Sequence, residues 1–469
     1  MPSTELLNAV VNGVTTGSII ALGAIGLALV YSIAEVPNFA HGELLTFGAY
    51  SAFLVNTPAA VPVFGVWAES GHTVATGSTL FLLTFSLYMG SRFLLTGREG
   101  LTSLPIRGLR DGSVGLVANI VLAAFLGVVV AYGAPSVWSG MLLAALSVGL
   151  LGLFLEILVF SKFREKGTDL ATTLIVALGV AFFLRFSLQG VFGGGTRSYA
   201  VADTVEVGGF ETSIAKTKFV DMYLSRKGGG FELVSSATGS TLWSVGFGIA
   251  AVVLVVGVAV LLLGSAYVLS KRRGYGRGTW TISTIGILGA LVVAALFFST
   301  GTSTREGFYS TRIRLSVLRI LIVTVALSMM ALLYYILSYT RLGKAMRAAS
   351  DNLELAQVAG IDTRYVMRAT WLIAGVYAGV GGVLLGVLIP SVTVTLGFDL
   401  LLPMFAAVIL GGVGSIYGAI LGSYLVGLTM DVGVYLIPGI GPEYRVALAF
   451  AVLFLVLLVK PEGIRGGVT

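Results

Sequence analysis

The chain has 469 residues, of which 56% are hydrophobic and only 11% are charged, and its mean hydropathy is +0.97. Soluble domains carry about 25% charged residues, so this composition excludes an ordinary soluble protein. The absence of cysteine excludes disulfides, two histidines argue against a histidine metal site, and the net charge of +7 comes from short loops, so it does not predict nucleic-acid binding.

Apolar segments of about 20 residues predict membrane-spanning helices along the whole chain. They lie at 7–31, 39–57, 73–95, 114–133, 139–161, 169–191, 241–269, 279–299, 315–339, 369–391 and 443–459. A longer segment, 399–436, is interrupted by glycines at 411–415. We therefore predict an all-α, polytopic transmembrane helical bundle of about 12 or 13 segments, one of them broken by glycine, in a single membrane domain over 1–469.

Alternate loops between these segments are basic, which predicts the orientation in the membrane by the positive-inside rule. The basic loops are 98–110, 162–166, 271–277, 341–364 and 460–465. Long loops are translocated largely regardless of charge, so the mixed-charge loop at 192–240 is compatible with an extracytoplasmic position. The N-terminus is then outside, and the loop at 340–368 and the C-terminus are cytoplasmic. The first segment lacks the basic region of a signal peptide and is expected to stay in the mature protein.

The loop at 340–368 contains a predicted short helix. Asp351 suits an N-cap, Glu354 three residues later completes a capping box, and Gly360 suits the left-handed residue that ends a helix. A helix of about two turns is not stable alone in water. It rests either on the chain's own bundle or in a groove of a partner protein, and both interpretations fit the pattern.

The chain resembles the smaller of the two permease subunits of branched-chain amino acid ABC transporters in five stretches that cover about half of its length. These are NGVTTGSIIALGAIGLALVYS (12–32), NFAHGELLTFGAY (38–50), GKAMRAASDNLELAQVAGI (343–361), GFDLLLPMFAAVILGGVGSIYGAILGSYLVGL (397–428) and LLVKPEGIRG (457–466). Permeases for urea and short-chain amides are similar in the same stretches.

The resemblance implies an ABC importer permease fold in the plasma (inner) membrane, alternating access, and no catalytic residue, cofactor or metal in this chain. The sequence has no GxxxxGK[ST] phosphate loop, so ABC ATPase subunits are expected to supply hydrolysis. A second homologous permease and an extracytoplasmic substrate-binding protein are the other implied partners. The ATPase is expected to act through the segment 341–360, at Arg341, Gly343, Arg347, Asp351, Glu354, Ala356 and Gly360.

The chain is longer than the family pattern, and the excess is predicted as two extra transmembrane helix pairs at 73–133 and 241–299. Two added crossings preserve the orientation of every later segment. Small residues at Gly13 with Gly17, and at Gly375, Gly379, Gly382 and Gly386, suit close packing of helices.

Polar residues at the start of the second segment suggest a substrate pathway. Asn38 suits an N-cap, which puts His41 at the third helical position and Glu43 near the positive end of the helix. One interpretation is capping and hydrogen bonding at a helix break. The other is that the break holds a zwitterionic substrate, as discontinuous helices do in transporters. Thr172 and Thr173 complete the predicted pathway, about one turn before the position where related permeases carry small hydroxyl residues.

Besides Glu43, other ionisable residues lie within predicted spans, where each costs about 2.5–3.5 kcal/mol on insertion scales. Among them are Glu156, Arg185, Arg319 and Asp431. Each is expected to face the protein interior, water or an opposite charge, and Glu156 and Asp431 are interpreted as ion-pair or subunit-interface residues. Two other functions fit the composition: a urea or short-amide permease, and a stand-alone secondary transporter or channel. A membrane-embedded enzyme lacks support, since no nucleophile–base pair or metal cluster is apparent.

Overall fold

The computed structural model describes residues 2–34, 38–57, 73–97, 112–133, 137–199, 205–207, 210–212, 219–225, 230–235, 241–246, 310–389, 391–437, 439–460 and 463–464. The chain divides into two compact units. One consists of Met1–Val11 with Ala215–Ile320, and the other of Asn12–Ile214 with Leu321–Thr469.

Helices account for most of the described residues. The N-terminal helices are α1 (Pro2–Ala34), α2 (His41–Asn56), α3 (Thr73–Thr96), α4 (Gly112–Gly133), α5 (Val137–Leu155), α6 (Ser161–Glu165) and α7 (Leu170–Phe192). A π-helix, Glu156–Phe160, joins α5 to α6. The C-terminal helices are α8 (Val317–Tyr339), α9 (Arg341–Asp351), α10 (Leu353–Val358), α11 (Thr363–Leu388), α12 (Leu396–Gly411), α13 (Ile416–Leu436) and α14 (Arg445–Val459), the last preceded by a 3-10 turn, Pro442–Tyr444.

The predicted all-α membrane fold is confirmed. Within the described residues, 8 helices are long and apolar enough to cross a membrane, and two shorter apolar helices accompany them. The predicted glycine break is also present, because α12 ends at Gly411 and α13 begins at Ile416. Gly412 and Gly414 have φ angles of 105° and 88°, which favour glycine, and Ser415 caps α13 by accepting a hydrogen bond from Gly418 N at 3.1 Å.

Six short strands were not expected from the sequence. β1 (Val205–Val207) and β2 (Phe210–Thr212) form an antiparallel pair. β3 (Phe219–Ser225), β4 (Gly230–Ser235), β5 (Thr241–Gly246) and β6 (Ser310–Ser316) form an antiparallel sheet in the order β5-β4-β3-β6. Strands β1 to β4 lie in the predicted loop at 192–240, β5 follows it directly, and β6 comes from 310–316, just before α8.

Strand β5 contradicts the predicted start of a membrane helix at residue 241. Thr241 and Trp243 are of residue types that favour strands, and β5 pairs with β4, for example Trp243 opposite Leu233. This pairing gives the backbone of 241–246 the hydrogen bonds that a helix would otherwise supply. The rest of the predicted pair, 247–299, lies outside the described residues. At 73–133 the chain forms two helices, α3 and α4, and Tyr88 of α3 donates a hydrogen bond to Asn119 of α4 at 2.9 Å.

Close contacts at glycine join α2, α5 and α11 into the centre of the larger unit. A Cβ at Gly48 of α2 would meet the backbone of Gly379, and a Cβ at Gly382 would meet the Leu45 carbonyl. A Cβ at Gly375 would meet the Val148 carbonyl of α5. The residues Gly13 and Gly17 approach α13 in the same way. Both glycine stripes therefore pack inside this chain, where absent side chains allow helix backbones to touch.

Gly382→Val is expected to destabilise the bundle, since the added side chain has no space against Leu45 and overpacking costs about 1–3 kcal/mol or more. Fluorescence-detected size-exclusion chromatography in detergent, with a thermal ramp, measures the effect. Gly179→Val on α7 is the matched control, because nothing lies within 4 Å of a Cβ there. Equal melting behaviour of the two variants would contradict the assigned α2–α11 contact.

Candidate functional site

Helix α2 begins inside the bundle, well before the level at which α1 ends. The Nε2 atom of His41, the first residue of α2, lies 2.9 Å from the Gly23 carbonyl, and Gly23 precedes the end of α1 at Ala34 by 11 residues. At 1.5 Å per helical residue, the start of α2 lies about 16 Å back along α1. The absence of a side chain at Gly26 leaves room for the His41 ring. The chain therefore re-enters the bundle before α2, as the predicted helix break requires.

Asn38 closes a turn ahead of α2 and is not its N-cap. Its Oδ1 accepts a hydrogen bond from Ala40 N at 3.0 Å, and its carbonyl accepts one from His41 N at 3.2 Å. This is the Asx-turn geometry that asparagine favours. Ala40 occupies the N-cap position without a side-chain bond, so His41 is the first helical residue and not the third, as predicted. Asn38 Nδ2 is buried and has no hydrogen-bond partner among the described residues.

A cavity of about 230 Å³ lies beside Asn38. We call it the first cavity. Its polar lining residues are Asn38, Arg164, Thr168, Thr173 and Trp371, and its apolar lining residues are Val30, Ala34, Phe160 and Leu170. Trp371 is buried, its ring stacks on Phe160 at 4.7 Å, and its Nε1 has no hydrogen-bond partner in the described part of the chain. The first cavity thus has two buried N–H groups, of Asn38 and Trp371, whose bonds are unmade.

The two predicted pathway threonines differ in position. Thr173 lines the first cavity, and its hydroxyl donates to the Asp169 carbonyl at 3.0 Å. Thr172 is half-buried, and its hydroxyl donates to the carboxylate of the exposed Asp169, which lowers the pKa of that carboxyl group. The structure therefore brings Thr173 and Asn38 together and leaves Thr172 outside the cavity. Thr168, which sequence reasoning missed, lines the cavity next to Thr173.

Glu43 and Arg185, which the sequence suggests as separate residues, form one buried ion pair. Arg185 Nε lies 3.1 Å and Nη2 lies 2.5 Å from Glu43 Oε1, and the guanidinium carbon lies 4.3 Å from the centroid of the Phe398 ring. The pair joins α2, α7 and α12. Each charge offsets the cost of burying the other, and loss of one partner is strongly destabilising for such a pair. This arrangement assigns Glu43, like His41, to holding the start of α2.

The other two acids also pair within the chain. Glu156, in the π-helix, forms an ion pair with Arg164 of α6. Asp431 of α13 lies 3.2 Å from Arg445 of α14 and accepts a hydrogen bond from Thr16 at 2.7 Å. π-Helices are frequent at functional sites. This one carries Glu156, whose ion-pair partner Arg164 lies at the wall of the first cavity.

A second cavity, of about 450 Å³, separates the π-helix and α6 from the segment that follows α8. Its charged lining residues are Glu156, Lys162, Arg164, Glu165, Arg364 and Arg368, and Leu353 and Gln357 of α10 also line it. Arg164 lines both cavities. In the sequence, Lys162 and Arg364 indicate only the orientation of the chain in the membrane, because the pattern of loop charges does not show which loops lie close together.

The segment 341–360 forms two helices, α9 and α10, and its cap differs from the predicted capping box. Asn352 caps α10, since its Oδ1 accepts a hydrogen bond from Leu355 N at 2.8 Å. Asp351 is still the last residue of α9, and Glu354 is the second residue of α10. An N-cap residue has an extended backbone, and Asn352 has one, with a φ of −161°. The cap therefore lies one residue after the predicted cap at Asp351.

The end of α10 agrees with the prediction. Gly360 has a φ of 82°, its N–H donates to the Gln357 carbonyl at 2.9 Å, and Ile361 N donates to the Ala356 carbonyl at 3.0 Å. These two bonds form a Schellman motif, which satisfies the last carbonyls of the helix.

Helices α9 and α10 rest on the bundle by one face only. In α9, Gly343, Met346 and Ala349 are buried, whereas Arg341, Arg347 and Asp351 are exposed. In α10 only Ala356 is buried, and Leu355 and Val358 are 66% and 86% exposed. Glu354 is also exposed. Side-chain bonds from Ser350 to the Ser32 carbonyl, 3.0 Å, and from Gln357 to Thr363, 3.0 Å, hold the segment in place. The outer face thus carries charges and two large apolar side chains.

Asn352→Ala is expected to weaken α10 by about 1 kcal/mol, because it removes the side-chain acceptor of the cap. Hydrogen–deuterium exchange of residues 353–358 should become roughly five-fold faster. Asp351→Ala, which leaves this cap intact, is the control and is expected to change the exchange little. Faster exchange in the Asp351 variant alone would favour the capping box that the sequence predicts at Asp351 and Glu354.

Comparison with known proteins identifies the family. The model of the branched-chain amino acid transport system permease component matches residues 9–96 and 228–457. The unmatched stretch 97–227 overlaps the predicted insertion at 73–133 in part, whereas 241–299 lies inside the matched range.

Two relatives illustrate the similarity. The high-affinity branched-chain amino acid transport system permease protein LivH of Escherichia coli (strain K12) is 40% identical over 141 residues, which are 30% of this chain and 44% of that protein. The permease protein BraD of the corresponding system in Pseudomonas aeruginosa is 36% identical over 152 residues, 32% of this chain and 48% of that protein. The chain thus spans less than half the length of these curated relatives, and no solved structure matches it. The match of the family model over more than half of the residues shows that the chain belongs to the permease components of branched-chain amino acid transport systems.

Proposed function

We propose that the chain is a membrane permease subunit of an ATP-driven ABC importer that moves branched-chain amino acids inward by alternating access. The main support for this proposal is the exposed α9–α10 segment, together with the membership of the chain in this family. The segment lies between two membrane helices and exposes Leu355 and Val358, and relatives such as LivH and BraD are named as branched-chain amino acid permeases. ABC ATPase subunits supply hydrolysis, and this chain is not itself an enzyme.

The ATPase binds the exposed face of α9 and α10 and moves it. A helix as short as α10 does not persist alone in water, so its cap at Asn352, its Schellman motif at Gly360 and its bond to Thr363 keep it rigid enough to transmit force. Leu353 and Gln357 connect it to the second cavity, and Arg164 connects that cavity to the first. Movement of α10 therefore reaches the first cavity through few intervening side chains.

The substrate pathway passes the first cavity, where Asn38 and Thr173 lie. His41 and Glu43 act in this pathway by fixing the re-entrant start of α2, through Gly23 and Arg185. Thr172 contributes to this pathway indirectly, through its hydrogen bond to Asp169 at the start of α7. The structural role of the Glu43 pair agrees with the rarity of unpaired charges in membrane spans.

The importer resides in the plasma membrane with the N-terminus outside and the C-terminus and α9–α10 in the cytoplasm. The basic residues of 162–166 and 341–364, which meet at the second cavity, support this orientation. A second homologous permease completes the membrane domain, and an extracytoplasmic protein delivers the substrate. Glu156 and Asp431 pair inside this chain, so subunit association relies on other residues.

Two alternatives make different predictions. A urea or short-amide permease keeps the ATPase but takes neutral solutes, and a secondary transporter needs no ATPase. The test is uptake of radiolabelled leucine by cells that express the whole gene cluster, followed by purification in mild detergent. ATP-dependent uptake that excess urea leaves unchanged, with ATPase subunits in the purified complex, supports the proposal. Uptake driven by an ion gradient with no ATPase bound would overturn it.

Gly360→Val is expected to reduce leucine uptake at least five-fold while the protein still inserts, because a β-branched residue resists a positive φ angle. Uptake normalised to membrane-inserted protein measures the loss. Gly360→Asn is the control, since asparagine tolerates the left-handed conformation. Unchanged uptake in the valine variant would argue against a coupling role for the capped helix.

The double substitution Leu355→Ser with Val358→Ser replaces both exposed apolar residues of α10. It is expected to weaken the binding of the ATPase at least ten-fold, because the contact loses most of its buried apolar surface. Co-purification of the ATPase subunits measures the effect. The matched control is Leu436→Ser with Ile437→Ser, two exposed apolar residues at the end of α13. Retention of the ATPase by the α10 variant would show that it binds elsewhere.

A further inference from the structure

We propose that the first cavity is the binding site for one zwitterionic aliphatic amino acid. Asn38, Arg164 and Trp371 bind its carboxylate, and the hydroxyl oxygens of Thr168 and Thr173 accept hydrogen bonds from its ammonium group. The inference rests on the proposed function for the class of cargo, and it adds the site, the residues and the reason why a zwitterion is preferred.

Two buried donors show that the cavity is prepared for an acceptor. Asn38 Nδ2 and Trp371 Nε1 both belong to side chains that are 1% exposed, and neither has a hydrogen-bond partner among the described residues. An unmade bond at a buried donor is costly, and these two atoms are among ten buried side-chain N and O atoms that have no partner among the described residues. Both residues line the same cavity, together with the guanidinium group of Arg164. A carboxylate accepts several hydrogen bonds and carries the opposite charge, so it fits this set of donors.

The threonines supply acceptors on the same cavity wall. The Thr168 hydroxyl donates to the Phe163 carbonyl and the Thr173 hydroxyl to the Asp169 carbonyl, each at 3.0 Å. Each hydroxyl has one hydrogen, so both oxygens keep lone pairs, and they lie 3.3 Å apart. An ammonium group donates three hydrogen bonds and accepts none. The ammonium group therefore fits beside these two oxygens, because it can only donate hydrogen bonds and the oxygens can accept them.

The apolar lining and the size select the side chain of the ligand. Val30, Ala34, Phe160 and Leu170 offer hydrocarbon surface to an aliphatic group. The cavity volume of about 230 Å³ is below the roughly 300–1,000 Å³ of sites for drug-sized ligands. Among the described residues that line this cavity, the one charged side chain is the cation Arg164, which suits an anionic group of the ligand. Urea has neither the carboxylate for the three donors nor the tail for the apolar wall.

Arg164 links occupancy of this site to the segment that the ATPase moves. It is held by Glu156 at the π-helix and also lines the second cavity, next to Gln357 of α10. A shift of α10 that moves Arg164 takes away the cationic ligand of the carboxylate. Release of the amino acid then follows from the loss of one charged contact, without rearrangement of the whole bundle.

The test is equilibrium binding of tritiated leucine to washed membranes that contain the full chain, with three competitors. Leucine keeps both charges, leucinamide lacks the carboxylate, and 4-methylpentanoate lacks the amino group. Wild-type protein is expected to bind leucine about 10-fold more tightly than either analogue, since each analogue loses a set of charge-assisted hydrogen bonds.

Two variants separate the two halves of the site. Trp371→Phe keeps an aromatic ring and removes the Nε1 donor, so it should weaken leucine and 4-methylpentanoate about 10-fold and weaken leucinamide much less, because the neutral amide oxygen accepts a weaker hydrogen bond than a carboxylate. Thr173→Val should weaken leucine and leucinamide and leave 4-methylpentanoate unchanged. Thr429→Val is the matched control, because Thr429 also donates to the carbonyl four residues earlier but lies on α13 away from the cavity, and it should leave all three affinities unchanged.

Loss of affinity for all three competitors alike would assign Trp371 and Thr173 a structural role and overturn the inference. Equal binding of the three competitors by wild-type protein would overturn it as well. The proposed function is judged separately, by ATP-dependent leucine uptake of the wild-type transporter. Intact uptake with either contrary binding pattern rejects the site alone, whereas failure of ATP-dependent uptake rejects the proposed function.

Discussion

The larger unit depends on a helix that starts inside a membrane bundle, where backbone and side-chain polar groups have no water to bind. Polar groups near such a start are costly unless the protein supplies partners for them. His41 reaches the Gly23 carbonyl, Asn38 binds the Ala40 amide, and Glu43 pairs with Arg185. Gly26 in α1 leaves room for the His41 ring, and Gly379 and Gly382 in α11 allow that helix to pack closely on α2. The re-entrant start is thus held by several weak contacts and one buried ion pair.

The same constraint explains what remains unsatisfied. Asn38 Nδ2 and Trp371 Nε1 are buried donors beside one cavity, at the point where the chain turns back into the bundle. Other buried polar atoms of the described residues also lack a partner, but these two share one cavity with Arg164, and that juxtaposition is the basis of the proposed ligand site. Glu43 and Arg185 neutralise each other at the start of α2, whereas Asn38 Nδ2 and Trp371 Nε1 at the first cavity have no partner among the described residues.

The proposed ATPase contact and the proposed substrate site lie beside two cavities that share Arg164 as a lining residue. α10 is a rigid, doubly capped helix that borders the second cavity, and Arg164 forms a wall shared with the first. The π-helix that carries Glu156 interrupts the regular ladder between α5 and α6 at this point. A local change in helix geometry is easier at such an interruption than in a continuous α-helix. The charged residues around the second cavity therefore connect the proposed ATPase contact with the proposed substrate site through side chains of one chain.

The sequence alone determined the membrane class, most helix positions, the glycine break at 411–415 and the left-handed Gly360, because these features depend on composition and on residues close together in the chain. It misplaced the cap at Asp351 by one residue and the start of α2 by two, since several polar residues compete locally for the same amide groups. It predicted a helix at 241, where strand β5 gains its hydrogen bonds from β4.

Only the tertiary structure decided which distant residues meet. Glu43 and Arg185 are 142 positions apart, and Asn38, Thr173 and Trp371 come from three different helical regions to line one cavity. Periodicity and motifs carry no information about such contacts, because they describe the faces of single helices. The packing of those faces against one another, set by glycine contacts and by the pairing of buried charges, created the site.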